Sequence, residues 1–364
     1  MRIALITPLV DPHDPLLGFI HTWVVRLAQR VDHLTVLQLW RSNPPLPSNV
    51  TLLSLDRNGP GGKIGALVRL TSRLASLCWR GRLDGVIGHM GPIFAVSAAP
   101  VVKSAGIPLA LWYAHGTVSP MLRLAHALVD RAGTSSPDGL RIHSKKITIT
   151  GQGIDTDRFK ANSDRDERLV VSIGRISRVK HYEVVIDAMA ALRERGLRDS
   201  RLRIIGGATL PGELSYRTRL EEQIRARDLA GSVEILPGVP HDRVAAEYQR
   251  AALFVSCSQT GSMDKAVLEA ASAGALPITT NPAFRSFFGQ ELADHLPRQG
   301  VDSLTDLLAR WLERPAAERE ERALLLRNRV IREHGIDHLA DELVNLVRPM
   351  SPHKTSPTGS SELT

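Results

Sequence analysis

Leu169-Val170-Val171-Ser172-Ile173-Gly174-Arg175-Ile176-Ser177-Arg178-Val179-Lys180 decides the architecture. An apolar run too short for a helix ends in glycine, and Tyr182–Arg195 then repeats apolar residues at helical spacing. This is one strand–turn–helix unit. The unit recurs downstream, with short apolar runs at Leu202–Ile205, Val233–Leu236, Leu253–Ser256 and Leu276–Thr279. Upstream, strands are expected at Ile3–Thr7, Leu34–Leu39, Thr51–Leu55, Gly85–Ile87, Leu109–Tyr113 and Ile147–Ile149. Between the first two of these, Ile20, Trp23, Val24, Leu27 and Val31 share one helix face. Short buried strands alternating with helices imply an α/β chain with a parallel, doubly wound sheet in each half.

The whole chain has 364 residues, 43% of them hydrophobic, which suits two domains better than one core. The boundary is expected near residue 160, at the polar stretch Lys160–Arg168. The first domain then covers 1–160 and the second 161–348, with its last helical region, Ala316–Val347, packing back toward the first. The remainder, 349–364, is rich in Ser, Thr and Pro and reads as a disordered tail.

Charge separates the halves. Residues 1–164 hold 18 Lys and Arg against 10 Asp and no Glu, a net +8 that equals the charge of the entire chain. A basic first half suits an anionic surface or ligand, and it also serves solubility. Cys78 and Cys257 alone give no disulfide framework or metal site and fit a reducing, cytoplasmic compartment. The short run at Ile3–Ile6, ended by Pro8, lacks the features of a leader, and no stretch is long and apolar enough to span a bilayer. No nucleic-acid module accompanies the high isoelectric point. No Gly-x-Gly-x-x-Gly follows the first strand, which argues against a nicotinamide enzyme.

Ligands of doubly wound sheets bind beyond the carboxyl ends of the strands. There Gly174, Arg175 and Lys180 combine a glycine turn with two cations ahead of a helix, a pattern suited to a diphosphate. Solvated loop cations would look the same. After Leu253–Ser256, the polar loop with Gly261, Ser262 and Met263 opens a helix whose backbone N–H groups can meet an anion. Glu269 lies within that apolar helix, where a carboxylate needs a diol or an internal cation as partner.

The order of these motifs resembles family 4 of the GT-B glycosyltransferases, over about residues 147–281. Gly151-Gln152-Gly153-Ile154-Asp155 with Phe159 looks like the family's interdomain element, Arg175 and Lys180 like its diphosphate pair, and Val267-Leu268-Glu269-Ala270 like the end of its paired-glutamate motif. The resemblance implies two Rossmann-like domains facing across a cleft, and retaining transfer of a sugar from a nucleotide-diphosphate donor without metal or other cofactor. It casts Arg175 and Lys180 as stabilisers of the leaving diphosphate, Glu269 as the ribose ligand, and Val239, after Gly238, as a neighbour of the base. Gly18 would lie in a phosphate-approaching loop, and His115 near the donor sugar. The first of the family's two glutamates falls on Gly261 here, and His181 follows Lys180 where glycine is usual. A silent nucleotide-sugar-binding relative and a GT-B epimerase are the alternatives.

The acceptor is left open between a glycan, a lipid-linked molecule and a small molecule. Lys63–Arg82 reads as an amphipathic helix with Ile64, Leu67, Val68, Leu70, Leu74, Leu77 and Cys78 on its apolar side. It either covers the first sheet or offers a basic surface for peripheral contact with a membrane. Asp155-Thr156-Asp157 looks superficially like a metal motif, but its place in the interdomain element argues for a structural role.

Overall fold

The computed structural model describes residues 1–14, 17–162, 164–259 and 261–349, so most of the tail expected at 349–364 lies outside the described residues. The first domain runs through β1 (Arg2–Thr7), α1 (Phe19–Ala28), β2 (His33–Gln38), β3 (Val50–Ser54), α2 (Gly62–Trp79), β4 (Gly85–His89), α3 (Pro92–Ser104), β5 (Leu109–Trp112), α4 (Pro120–Leu128), β6 (Arg131–Thr134) and β7 (Ile147–Ile149). Its sheet has the order β3-β2-β1-β4-β5-β6-β7, with every pair parallel.

The second domain runs through β8 (Asp166–Ile173), α5 (Tyr182–Glu194), β9 (Arg201–Ile205), α6 (Pro211–Ala226), β10 (Val233–Leu236), α7 (His241–Arg250), β11 (Ala251–Ser256), α8 (Lys265–Ala273) and β12 (Leu276–Thr279). Then come α9 (Arg285–Phe288), α10 (Val301–Glu313), α11 (Ala316–His334) and α12 (Ile336–Leu346). Its parallel sheet has the order β10-β9-β8-β11-β12. In each sheet the winding reverses beside the first strand, between β1 and β4 and between β8 and β11. Such a reversal opens a crevice at the carboxyl ends of the strands.

Several boundaries differ from the sequence reading for identifiable reasons. The polar stretch Lys160–Arg168 is not all linker: Asp166–Arg168 begin β8, where Asp166 aligns with Ala251 and ion-pairs with Arg201. β6 escaped notice because Arg131-Ala132-Gly133-Thr134 has no apolar run; its pairing with β5 and β7 makes it a strand. Ala316–Val347 is two helices, since Gly335 takes an extended backbone between them. In α2, Ala66, Leu70, Leu74 and Cys78 face the core, whereas Ile64 (75% exposed), Val68 (58%) and Trp79 (74%) face outward.

α12 belongs to the first domain's core although it comes last in the chain. Ile336, Leu339, Leu343, Val344 and Leu346 pack with Ile3, Trp23, Val24 and Leu27. Burying each such side chain contributes roughly 1.5–3 kcal/mol. Arg30, two residues past the end of α1, reinforces the contact through Asp337 at 2.9 Å and Asp341 at 2.6 Å. The two chain crossings between domains lie side by side: the Ile154 N–H donates to the His334 carbonyl (2.7 Å) and the Ile336 N–H to the Ile154 carbonyl (2.8 Å). This explains Gly151 and Gly153, both at positive φ. A Cβ on Gly151 would come within 2.1 Å of the Glu333 carbonyl oxygen, and one on Gly153 within 2.6 Å of Trp23 Nε1. The neighbouring acids have structural partners, Asp157 pairing with Arg26 at 2.5 Å and Asp155 accepting from the Arg158 N–H at 3.2 Å.

Candidate active site

Three strand ends build the floor of the second domain's crevice. Gly174, Gly206 and Gly207, and Gly238 follow β8, β9 and β10, and their backbones touch. A Cβ on Gly206 would stand 1.9 Å from the Gly174 carbonyl oxygen, and one on Gly238 would stand 3.1 Å from Gly207 N. Backbone bonds lock the loops together: Gly174 N–H to the Ile205 carbonyl (3.0 Å), Ile176 N–H to Gly207 (2.9 Å) and Gly206 N–H to Leu236 (3.1 Å). Val239, partly buried, packs on the domain core beside this floor.

Arg175 and Lys180 rise from that floor, and each already has an acidic partner. Arg175 Nε lies 3.2 Å from Glu213 Oε1, and Lys180 Nζ lies 2.6 Å from Asp264 Oδ2. The Thr209 and Leu210 N–H groups, and after them Arg175, hold the Glu213 carboxyl below the usual carboxylate range. Asp264 has a second task, capping α8 by accepting from the Ala266 N–H at 3.2 Å. The turn carrying Lys180 is anchored by Tyr182, whose hydroxyl donates to the Gly174 carbonyl (3.0 Å) and whose N–H donates to the Tyr216 hydroxyl (3.0 Å). His181 adopts the left-handed conformation at φ 50, which accounts for the glycine expected there.

The loop before α8 faces the first domain. Gly261 has φ +68, and its carbonyl accepts from Arg141 Nη2 at 3.3 Å. The Ser262 carbonyl accepts from Asn281 Nδ2 (2.8 Å) and the Met263 carbonyl from Gln152 Nε2 (3.1 Å), so this loop is fixed by backbone contacts. Glu269 is buried one helical turn beyond Lys265 and accepts from the Tyr248 hydroxyl at 3.5 Å.

On the opposite wall, His115 is exposed after β5, and its Nδ1 accepts from the Thr117 N–H at 3.3 Å. Gly18 is required by its own loop, since a Cβ would meet the carbonyl oxygens of Asp14 (2.7 Å) and Pro12 (2.9 Å). Gly18 opens α1, which carries neither a side-chain cap nor an acid in its first turn. Within that turn the Ile20 N–H donates to the Leu17 carbonyl (2.9 Å) and the His21 N–H to the Gly18 carbonyl (3.3 Å), so the turn acts on an anion through the positive end of its dipole. Lys265 reaches across from α8, placing Nζ 3.0 Å from the Phe19 ring centroid and 5.2 Å from that of Trp23.

The structure thus brings Gly174, Arg175, Lys180 and Val239 to one floor and joins Lys180 to the Gly261–Met263 loop through Asp264. Gly116, the neighbour of His115, adjoins the Arg141 guanidinium that reaches this loop, and Gly18 approaches it through its neighbour Phe19. Sequence reasoning missed Arg141, Glu213, Lys265 and the two tyrosines. Nothing local in the sequence signals these residues.

Two parallel, doubly wound domains arranged in this way define the GT-B class. Anabaena HepE, solved in complex with UDP and glucose, shares the fold at a TM-score of 0.70 and 14% identity, covering 95% of this chain and 98% of that one. Sucrose-phosphate synthase from Thermosynechococcus elongatus does so at a TM-score of 0.74 and 16% identity, covering 95% and 98% respectively.

Within the chain, residues 153–325 match the family model of the glycosyl transferases group 1. Over 135 residues, 37% of this chain, the sequence is 30% identical to a phosphatidylinositol N-acetylglucosaminyltransferase subunit from Arabidopsis thaliana. Over 141 residues, 35% of this chain, it is 28% identical to D-inositol 3-phosphate glycosyltransferase of Nocardiopsis dassonvillei. The matches span 29% and 33% of those proteins' lengths, about a third of each.

Proposed function

We propose that the protein is a family 4 glycosyltransferase that moves a hexose from a nucleotide-diphosphate donor to an acceptor with retention of configuration. The observation that carries this reading is the placement of Arg175 and Lys180 on the glycine floor, facing the N-terminus of α8. The UDP complex of the structural neighbour and the family match over the second domain support it.

Chemically, departure of the nucleoside diphosphate develops negative charge on the bridging oxygen. Arg175, Lys180 and the positive dipole ends of α8 and α1 stabilise that charge without calling on a metal. Glu269, held by Tyr248, accepts from the ribose hydroxyls, and His115 orients the sugar from the other wall. Arg175 and Lys180 must exchange Glu213 and Asp264 for the incoming phosphates. These two cations are therefore neutralised in the bare site, and binding costs both ion pairs.

Acceptors enter from the first domain's side. The outward Ile64, Val68 and Trp79 of α2, with Lys63 in its first turn and Arg80 at its C-terminal end, suit peripheral contact with an anionic membrane. No helix among the described residues is long and apolar enough to cross one. Co-sedimentation with vesicles of phosphatidylglycerol, lost on Trp79→Ser, tests that contact.

The donor site is tested by melting the protein with UDP, GDP, ADP and their sugar conjugates, with and without magnesium, for the wild type and for Arg175→Ala and Lys180→Ala. A ligand that binds the folded state raises Tm by mass action. One nucleotide should stand out without magnesium and lose its effect in both variants. Unchanged shifts in both would remove the proposed site, and binding without transfer or slow donor hydrolysis would favour a silent relative.

A further inference from the structure

We propose that Arg141 reads a carboxylate on the transferred sugar, so that the donor is a nucleotide-diphosphate uronic acid. The proposal rests on the donor-site reading above and specifies its substrate class. Arg141 follows the short turn Pro137–Gly139 after β6, and its guanidinium lies between two glycines from different domains. A Cβ on Gly116 would stand 3.2 Å from Arg141 Cζ, and one on Gly261 would stand 2.5 Å from Arg141 Nη2. Both recesses exist because both residues lack side chains. Gly116 adjoins His115 on one wall, and Gly261 belongs to the loop that opens α8 on the other.

The charge balance sets this arginine apart from Arg175 and Lys180. Arg175 and Lys180 are matched by Glu213 and Asp264. Arg141 makes no ion pair among the described residues, and its one bond is the long contact to the Gly261 carbonyl. The acid nearest in the facing loop, Asp264, is engaged by Lys180 and by the α8 backbone. A guanidinium with most of its N–H fork free is matched by a planar anion, which it grips bidentately.

Position then names the group. Asp264 marks the phosphate end of the cleft through Lys180, and Gly261 lies three residues earlier on the side facing the first domain. A sugar bonded to the terminal phosphate extends from there toward His115 and Gly116, which brings the far edge of its ring to Arg141. On a hexopyranose that edge carries the exocyclic carbon, and its carboxylate form supplies the missing charge.

The test is titration of the full chain with matched donor pairs: UDP-glucose and UDP-glucuronate, UDP-galactose and UDP-galacturonate, and GDP-mannose and GDP-mannuronate, alongside UDP, GDP and ADP alone. The same series is run on Arg141→Gln and Arg141→Lys. The uronate of one pair should bind about tenfold tighter than its neutral partner, the scale of one charge-assisted pair. Arg141→Gln should abolish that difference, Arg141→Lys should keep part of it, and the bare nucleotides should bind all three proteins alike. Equal affinity for both members of every pair in the wild type overturns the proposal, as does a preference that persists in Arg141→Gln. Failure of the bare nucleotides to bind the wild type overturns the donor-site reading itself and, with it, this proposal.

Discussion

Lys265, on the first turn of α8, holds its ammonium 3.0 Å from the ring centroid of Phe19, on the first turn of α1 in the other domain. Two helix N-termini are thus joined by a cation on an aromatic face. Nζ is buried without a hydrogen-bond partner, and the charge is felt by His89, whose pKa burial and Lys265 together push down to about 3. The contact closes the cleft at the cost of desolvating an ammonium.

Lys265 should therefore make stability depend on pH. Burial pulls its pKa from 10.5 down to about 7, opposed by Glu269. Between those values the unfolded chain holds a proton that the folded chain has released. Stability should thus rise with pH across that window, by on the order of a few kcal/mol, and the dependence should vanish below it. Denaturant unfolding of the wild type and Lys265→Met from pH 6 to 10 measures the difference. Parallel curves would remove the titration from Lys265.

Asp264→Asn should tighten nucleotide-diphosphate binding. Asparagine caps a helix as well as aspartate does, so α8 is preserved while Lys180 loses its competitor. A gain of several-fold, roughly 1 kcal/mol, is expected from releasing one partly buried pair. It should disappear in the double variant with Lys180→Ala. Calorimetric titration of both proteins decides this, and weaker binding by Asp264→Asn alone would give the aspartate a direct role toward the ligand.

His181→Gly should stabilise the second domain. Histidine at φ 50 carries the left-handed strain that glycine avoids, at about 1 kcal/mol. The weak contact from His181 to Glu183, 3.3 Å and exposed, offsets little of it. A rise in Tm of about 2 °C is expected. A fall would mean that the imidazole holds the Lys180 turn in place.

Gly206→Ala should do the reverse. Its Cβ would stand 1.9 Å from a backbone carbonyl in the adjacent loop, so the floor must open. Overpacking of this kind costs typically 1–3 kcal/mol, and the displaced Gly174 turn should also lose nucleotide affinity. Normal affinity in a folded Gly206→Ala protein would detach the floor from ligand binding.

The legible part of this molecule was its local grammar. Apolar runs ended by glycine mark β8 and β9 because buried parallel strands need nothing else to declare themselves. β6 was silent, since Arg131-Ala132-Gly133-Thr134 becomes a strand only by lying between two others. α2 misled by pattern: Ile64 and Val68 continue an apolar stripe that the sheet beneath does not reach. At the site, the cations announced themselves but their partners did not, because Lys180 meets Asp264 across 84 residues and Arg141 meets Gly261 across 120. No window of sequence registers such pairs, and they set the site's charge.

The return of α12 to the first domain also orders the molecule in time. Ribosomes extend chains at about 5–20 residues per second. The sheet that begins at Arg2 therefore waits on the order of ten seconds or more, after β7 has emerged, for the helix that shields Trp23 and Val24. During that interval an entire second domain is made and can fold, while the first keeps an uncovered apolar face. Nascent chains of this protein should engage chaperones through the face of α1, and they should let go only when Ile336–Leu346 has left the tunnel.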